Sequence, residues 1–111
     1  MSREWRLYLD EMIRCAETAL GYTQGMEFPD FLANRLVYDA TVRNIELIGE
    51  AASHIPDSVR EAQPDIEWRM VIATRNRLIH GYSSIDDRIL WSILRDSLPG
   101  LLEKLRALQG A

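Results

Sequence analysis

Arg75, His80 and Tyr82 bring a guanidinium, an imidazole and a phenol together within one short stretch, Arg75-Asn76-Arg77-Leu78-Ile79-His80-Gly81-Tyr82, a set suited to binding an anion and moving a proton beside it. Arginine offers a planar fork of donors that matches a phosphate. Histidine exchanges a proton near neutral pH. The stretch sits in a longer run, Trp68 to Ser84, that has no Asp or Glu but holds Arg69, Arg75, Arg77 and His80. On a chain of net charge −4, that run is a local cationic site, which suits a defined anion better than broad nucleic-acid affinity. For Arg69 and Arg77 a role in surface salt bridges competes equally.

The backbone around this stretch is expected to be helical, because apolar residues recur at helical spacing and strand-like alternation is weak. A first helix is expected from about Ser2 to Thr23, with Ser2 as N-cap and Trp5, Leu9, Met12, Ala16, Ala19 and Leu20 as apolar positions; Gly21 and Gly25 mark its end. A second, long helix is expected from Pro29 and Asp30 to about Ser53, with a stripe through Leu32, Leu36, Val42, Ile45, Ile48 and Ala52. After Pro56 comes a short turn from Asp57 to Ala62, capped by Asp57 or Ser58. A third helix opens at Pro64 and Asp65 and stops at Gly81. Ser83 and Ser84 connect it to a fourth, from Asp86 through Ile89, Leu90, Ile93, Leu94 and Leu98, which Pro99 kinks or interrupts before Leu101 to Leu108. The fold class is therefore all-α, an antiparallel four-helix bundle with a short additional helical turn, in a single domain over residues 1–111.

On the third helix, Trp68, Ile72, Arg75, Ile79 and Tyr82 share one face, and Arg75 interrupts an otherwise apolar stripe. Such an arginine either pairs with a carboxylate, snorkels to an edge, or lines a groove that another molecule fills. The second helix supplies Arg43, Glu46 and Glu50 on neighbouring turns, so the two glutamates either orient Arg75 or pair with Arg43. His80 is five residues from Arg75, an offset of about 140° on a regular helix. A left-handed cap at Gly81 would put the imidazole at the rim within Arg75's reach. Asn76, one turn before His80, shares its face and is a candidate to fix its tautomer or touch a ligand.

Arg75, four residues, His80, one residue, Tyr82 is the Arg-x4-His-x-Tyr signature of the HEPN superfamily, and the chain resembles its HepT branch along nearly its whole length. The resemblance includes Arg43-Asn44-Ile45-Glu46-Leu47-Ile48-Gly49-Glu50-Ala51, Ile66-Glu67-Trp68, and Ile85-Asp86 through Trp91 with Leu98-Pro99. It implies a metal-independent ribonuclease toxin of a type VII-like toxin–antitoxin pair, homodimeric and encoded with a minimal nucleotidyltransferase antitoxin. It also implies that the antitoxin silences the toxin by attaching AMP to Tyr82. Arg75 and His80 would then be catalytic, and Asn76, Arg77, Arg43, Glu46 and Glu50 supporting or RNA-contacting residues. The runner-up is a non-catalytic helical module that binds a nucleotide or a nucleotidyltransferase through the same cationic groove.

The remaining composition narrows the field. At 111 residues, 47% hydrophobic and 27% charged, the chain has the make-up of an ordinary globular domain with room for one core. No apolar run approaches the roughly 20 residues of a membrane span, and Met1-Ser2-Arg3-Glu4-Trp5 has no signal-peptide core; a cytoplasmic location is expected. Cys15 stands alone and is expected in or near the core. Two isolated histidines and scattered carboxylates have no metal-ligand spacing, so neither metal nor cofactor is expected. His54 reads as a surface or helix-end residue, and Trp68 and Trp91 as core or dimer contacts rather than base-stacking platforms.

Overall fold

Hydrogen-bonding breaks, more than the limits of apolar spacing, decide where the helices of this chain begin and end. The computed structural model describes residues 4–80 and 86–111. Helix α1, Trp5–Tyr22, buries Leu9, Met12, Ile13, Cys15, Ala16 and Ala19. Beyond it Gly25 takes a φ of 77°, a left-handed conformation that glycine adopts without a side-chain clash. The expected cap at Ser2 lies outside the described residues, as does the Gly81 to Ile85 connector.

The second arm corrects the sequence reading. It is two helices, α2 (Phe28–Ala33) and α3 (Arg35–Ala52), where a single one from Pro29 to Ser53 is expected. Asn34 separates them: its backbone turns to φ −106° and ψ 90°, and its Oδ1 accepts the Val37 N–H at 3.1 Å. An asparagine that satisfies a free N–H in this way starts a new helix. The break buries Phe31 and turns Leu32 and Leu36 outward, Leu36 to 81% exposure, so the side of α3 packed against the core begins at Val37 and Tyr38.

Helix α4, Asp57–Ala62, is the expected short turn, but Pro56 occupies its cap position, and Asp57 accepts from the Arg60 guanidinium at 2.7 Å instead of capping. Helix α5, Trp68–His80, starts after Pro64 and Asp65, with the Trp68 indole N–H donating to the Gln63 carbonyl at 3.1 Å. The fourth arm is α6 (Asp87–Ser92), a π-helical turn (Ile93–Ser97) and α7 (Leu98–Gln109). Asp86 caps α6 by accepting the Arg88 N–H at 2.6 Å. Pro99, which has no N–H for the carbonyl four residues back, neither ends nor separates the arm; the turn just before it widens. From that turn the Arg95 guanidinium donates to the carbonyls of Thr23 and Met26 beyond α1 and lies 4.3 Å from the Trp91 ring centre.

The four arms alternate in direction. Tyr8 near the start of α1 stacks on His54 just past α3, while Gln109 at the end of α7 donates to Asp10 near the start of α1. Helix α1 packs on α3 and α7, and α3 packs on α1 and α5. The described residues are thus all-helical, an antiparallel four-armed bundle plus the short α4. Leu9, Met12, Phe31, Ile55, Leu90, Leu94 and Leu105 lie fully inside.

At one end of the bundle the Tyr38 hydroxyl donates to Asp87 at 2.5 Å, tying α3 to α6. Burial, then this carboxylate, push the phenol up to about 12 from the ordinary 10.0. Because folding favours the neutral phenol, its contribution to stability is complete below pH 10 and is lost as the pH climbs through about 12. A phenolate absorbance titration is expected to resolve one late tyrosine, absent in Tyr38→Phe and shifted back toward ordinary values in Asp87→Asn.

Candidate active site on helix α5

Helix α5 is anchored at its start by the buried Trp68 and has Arg77 and His80 in its last turn. Cations near a helix C-terminus are favoured by the exposed carbonyls there. The face turned toward α3 is Trp68, Val71, Ile72, Arg75 and Leu78, with Trp68 and Leu78 buried; Ile79, placed on that face by spacing, is 37% exposed. The difference is one of rotation, since Leu78 and Ile79 flank the same side of the helix.

Arg75 is half-buried at the α3–α5 contact. Its Nη1 donates to the Asn76 Oδ1 at 2.9 Å, and its Nε is buried without a hydrogen-bond partner. No carboxylate of α3 pairs with it: Glu46 accepts from Arg43 at 3.3 Å, and Glu50 is exposed. Of the two readings of the glutamates, the geometry matches Glu46 with Arg43. Asn76 reaches Arg75 by way of its own side chain, a partnership that spacing along the His80 face did not suggest. His80 is the last residue of α5 and is exposed; Tyr82 lies outside the described residues.

The three basic side chains of the stretch therefore lie in different places. Arg75 faces α3 and His80 is exposed at the tip. Arg77 lines a cleft of about 420 Å³ between α5 and the fourth arm, with Ile45 and Ile48 on its floor, Met70 beside Arg77 on one wall, and Ile93 and Leu101 on the other. A backbone contact that sequence reasoning missed lies behind Arg75, where Gly49 of α3 faces the Arg75 Cβ and the Val71 carbonyl. The hint in the sequence is a glycine before the end of a long helical pattern.

Residues away from α5 take quieter places. Cys15 is buried, and desolvation with Glu11 nearby pushes its thiol up. His54 is exposed against Tyr8, Trp68 is in the core, and Trp91 is half-buried against Phe28 and Phe31. Among the described residues no helix is long and apolar enough to cross a membrane.

The sequence has relatives. Residues 12–108 match the family of HepT-like ribonucleases. The chain belongs to that family. One HepT-like relative, named "Probable ribonuclease HepT" in Thermococcus cleftensis, is 35% identical over 109 residues, covering 96% of this chain and 99% of its own length. Another, named as a putative RNase in Methanocaldococcus jannaschii, is 29% identical over 103 residues, 93% of this chain and 94% of its own. A third, a putative RNase of Caldanaerobacter subterraneus, is 30% identical over 101 residues, covering 91% and 90%. No solved structure matches the chain. The resemblance to the HepT branch of the HEPN superfamily read from the signature is borne out.

Because His80 is exposed, its side chain carries little of the packing of this HepT-like fold. His80→Ala is expected to change unfolding free energy by no more than about 0.5 kcal/mol in urea denaturation. A larger loss would mark His80 as structural.

Proposed function

We propose that this chain is a metal-independent endoribonuclease, the toxin of a type VII-like toxin–antitoxin pair, with Arg75 and His80 as its catalytic residues. The supporting observation is the state of Arg75: a guanidinium in the α3–α5 seam, fixed through Asn76 and unpaired with any described carboxylate. Its charge is available for a phosphate. The family match supplies the substrate, since the relatives carry ribonuclease names.

Cleavage of RNA without a metal uses the substrate's own 2′-hydroxyl. A base removes its proton, the 2′-oxygen attacks phosphorus to form a cyclic phosphate, and the 5′-oxygen leaves with a proton from an acid. Arg75 balances the charge that grows on the phosphoryl oxygens. One imidazole does not readily serve both ends of an in-line displacement. A two-fold dimer supplies a second His80, so that one acts as base and its mate as acid. The separate places of Arg75 and His80 within one chain support this reading, as a single copy gathers few of the needed groups in one place.

Regulation follows from the same charge. AMP placed on Tyr82 by a minimal nucleotidyltransferase antitoxin would add negative charge and bulk two residues from His80, where the RNA phosphate belongs. Arg77 and Arg43 are candidates for neighbouring phosphates, with Glu46 and Glu50 limiting how much free positive charge α3 presents.

The test is cleavage of mixed RNA in excess EDTA. Wild-type protein is expected to cleave, and His80→Ala and Arg75→Ala to be slower by about 10²-fold or more. Equal cleavage by all three, or none by wild type, would favour the binding module instead. Sedimentation at micromolar concentration is expected to give a dimer; a monomer that still cleaves removes the two-histidine scheme. Mass spectrometry after co-expression with a neighbouring nucleotidyltransferase is expected to add AMP mass to the peptide containing Tyr82.

A further inference from the structure

Gly49 stands third from last among the buried residues of α3, flanked by Ile48 and Ala51, in the last turn of an 18-residue helix. Glycine is a poor choice there on helix propensity alone, and alanine would be better. The neighbouring helix supplies the reason for it. A side chain at residue 49 would overlap the Cβ of Arg75, come within 2.9 Å of the Val71 carbonyl oxygen and reach 3.0 Å from the Arg75 Cγ. Two of these atoms belong to the stem of Arg75 and the third to rigid backbone, so no flexible side-chain end is available to move aside.

Two further features make this notch matter for Arg75 more than for the fold. First, the seam is deep enough to bury the Arg75 Nε, while Nη1 still reaches Asn76. Second, α5 packs chiefly on α3 and borders an open cleft on its other side. A helix held on one side can be pushed outward as a unit without crushing another contact. Any bulk at residue 49 is thus converted into displacement of α5, and Arg75 sits at the point of thrust.

We infer that Gly49 is a positioning residue for Arg75: the missing side chain sets how deep the guanidinium lies in the α3–α5 seam, and so where it meets a phosphate. The inference rests on the RNA-cleaving reading for its consequence, but not for its geometry. Depth is also what separates arginine's role here from a surface charge, because a phosphate must approach Nη2 and Nη1 while Nε stays covered.

The experiment compares full-length wild type with Gly49→Ala and Gly49→Ser. Three readouts are taken: solvent exchange of the Arg75 Nε–H by NMR, kcat and KM for RNA cleavage, and thermal unfolding. Helical content is expected to be kept, the Nε–H to exchange faster, and kcat to fall by about 10²-fold with KM changed much less, as a displacement on the order of 1 Å suffices for that. A folded Gly49→Ala with unchanged Nε–H exchange, or with unchanged kcat, overturns the inference. If wild type itself cleaves no RNA, the ribonuclease reading falls, and Nε–H exchange alone decides for or against Gly49. If Gly49→Ala does not fold, the double variant Gly49→Ala with Arg75→Gly, which removes the opposing Cβ and Cγ and leaves the Val71 carbonyl, is expected to recover helical content that Gly49→Ala with Arg75→Lys, which keeps both atoms, does not; equal helical content in the two overturns the inference.

Discussion

The contact between α3 and α5 is the constraint on which the candidate site depends. Helix α3 is the shared wall of the bundle, packed on α1 by one side and on α5 by the other. What α5 carries is located chiefly by that second side. Trp68 and Leu78 pin the two ends of the contact and Arg75 sits between them, opposite Gly49. An arginine in such a seam would usually be neutralised by a glutamate on the facing helix. Here the nearby glutamate is turned to Arg43, and the half-buried guanidinium is held by a neutral amide. Its charge stays uncompensated at short range, a state with a desolvation cost that an anionic ligand would offset.

Much of this was legible from residue order. Apolar spacing and helix-breaking residues located the four arms, the α4 bounds and the start of the fourth arm at Asp86, because those depend on local periodicity and turn chemistry. Asn34 was hidden by the same periodicity. Leu32 and Leu36 continue an apolar pattern through it, and only the Oδ1 bond to Val37 shows that the helix restarts. Leu78 and Ile79 lie about 100° apart around α5, and tertiary packing rather than spacing decides which of them is buried.

At the site, the residue types were legible and their mutual arrangement was not. Arg75, His80 and Tyr82 announce themselves by spacing. The pairing of Glu46 with Arg43 and of Asn76 with Arg75 follows from rotamers and interhelical distance, which one sequence does not encode separately. Gly49 is the clearest case: its significance lies in the absence of atoms, visible only once α5 is laid against it. The signature also does not say that Arg75 and Arg77 face opposite sides of their helix, one into the seam and one into the cleft.

The π-helical turn at Ile93–Ser97 joins two halves of the fourth arm that answer to different partners. Upstream, Asp87 meets Tyr38 and Trp91 meets Phe31; downstream, Arg106 reaches Glu17 and Gln109 reaches Asp10. A π turn holds one more residue than an α turn and so shifts the phase of everything after it. The two halves are in register with their partners because the turn widens to hold that surplus residue. If the same residues formed a continuous α-helix, the arm could match Tyr38 and Phe31 or Glu17 and Asp10, but not both sets at once. The widened turn is therefore where the arm stores its extra residue, and a chain shortened by one residue here would run as a continuous α-helix with both sets still matched.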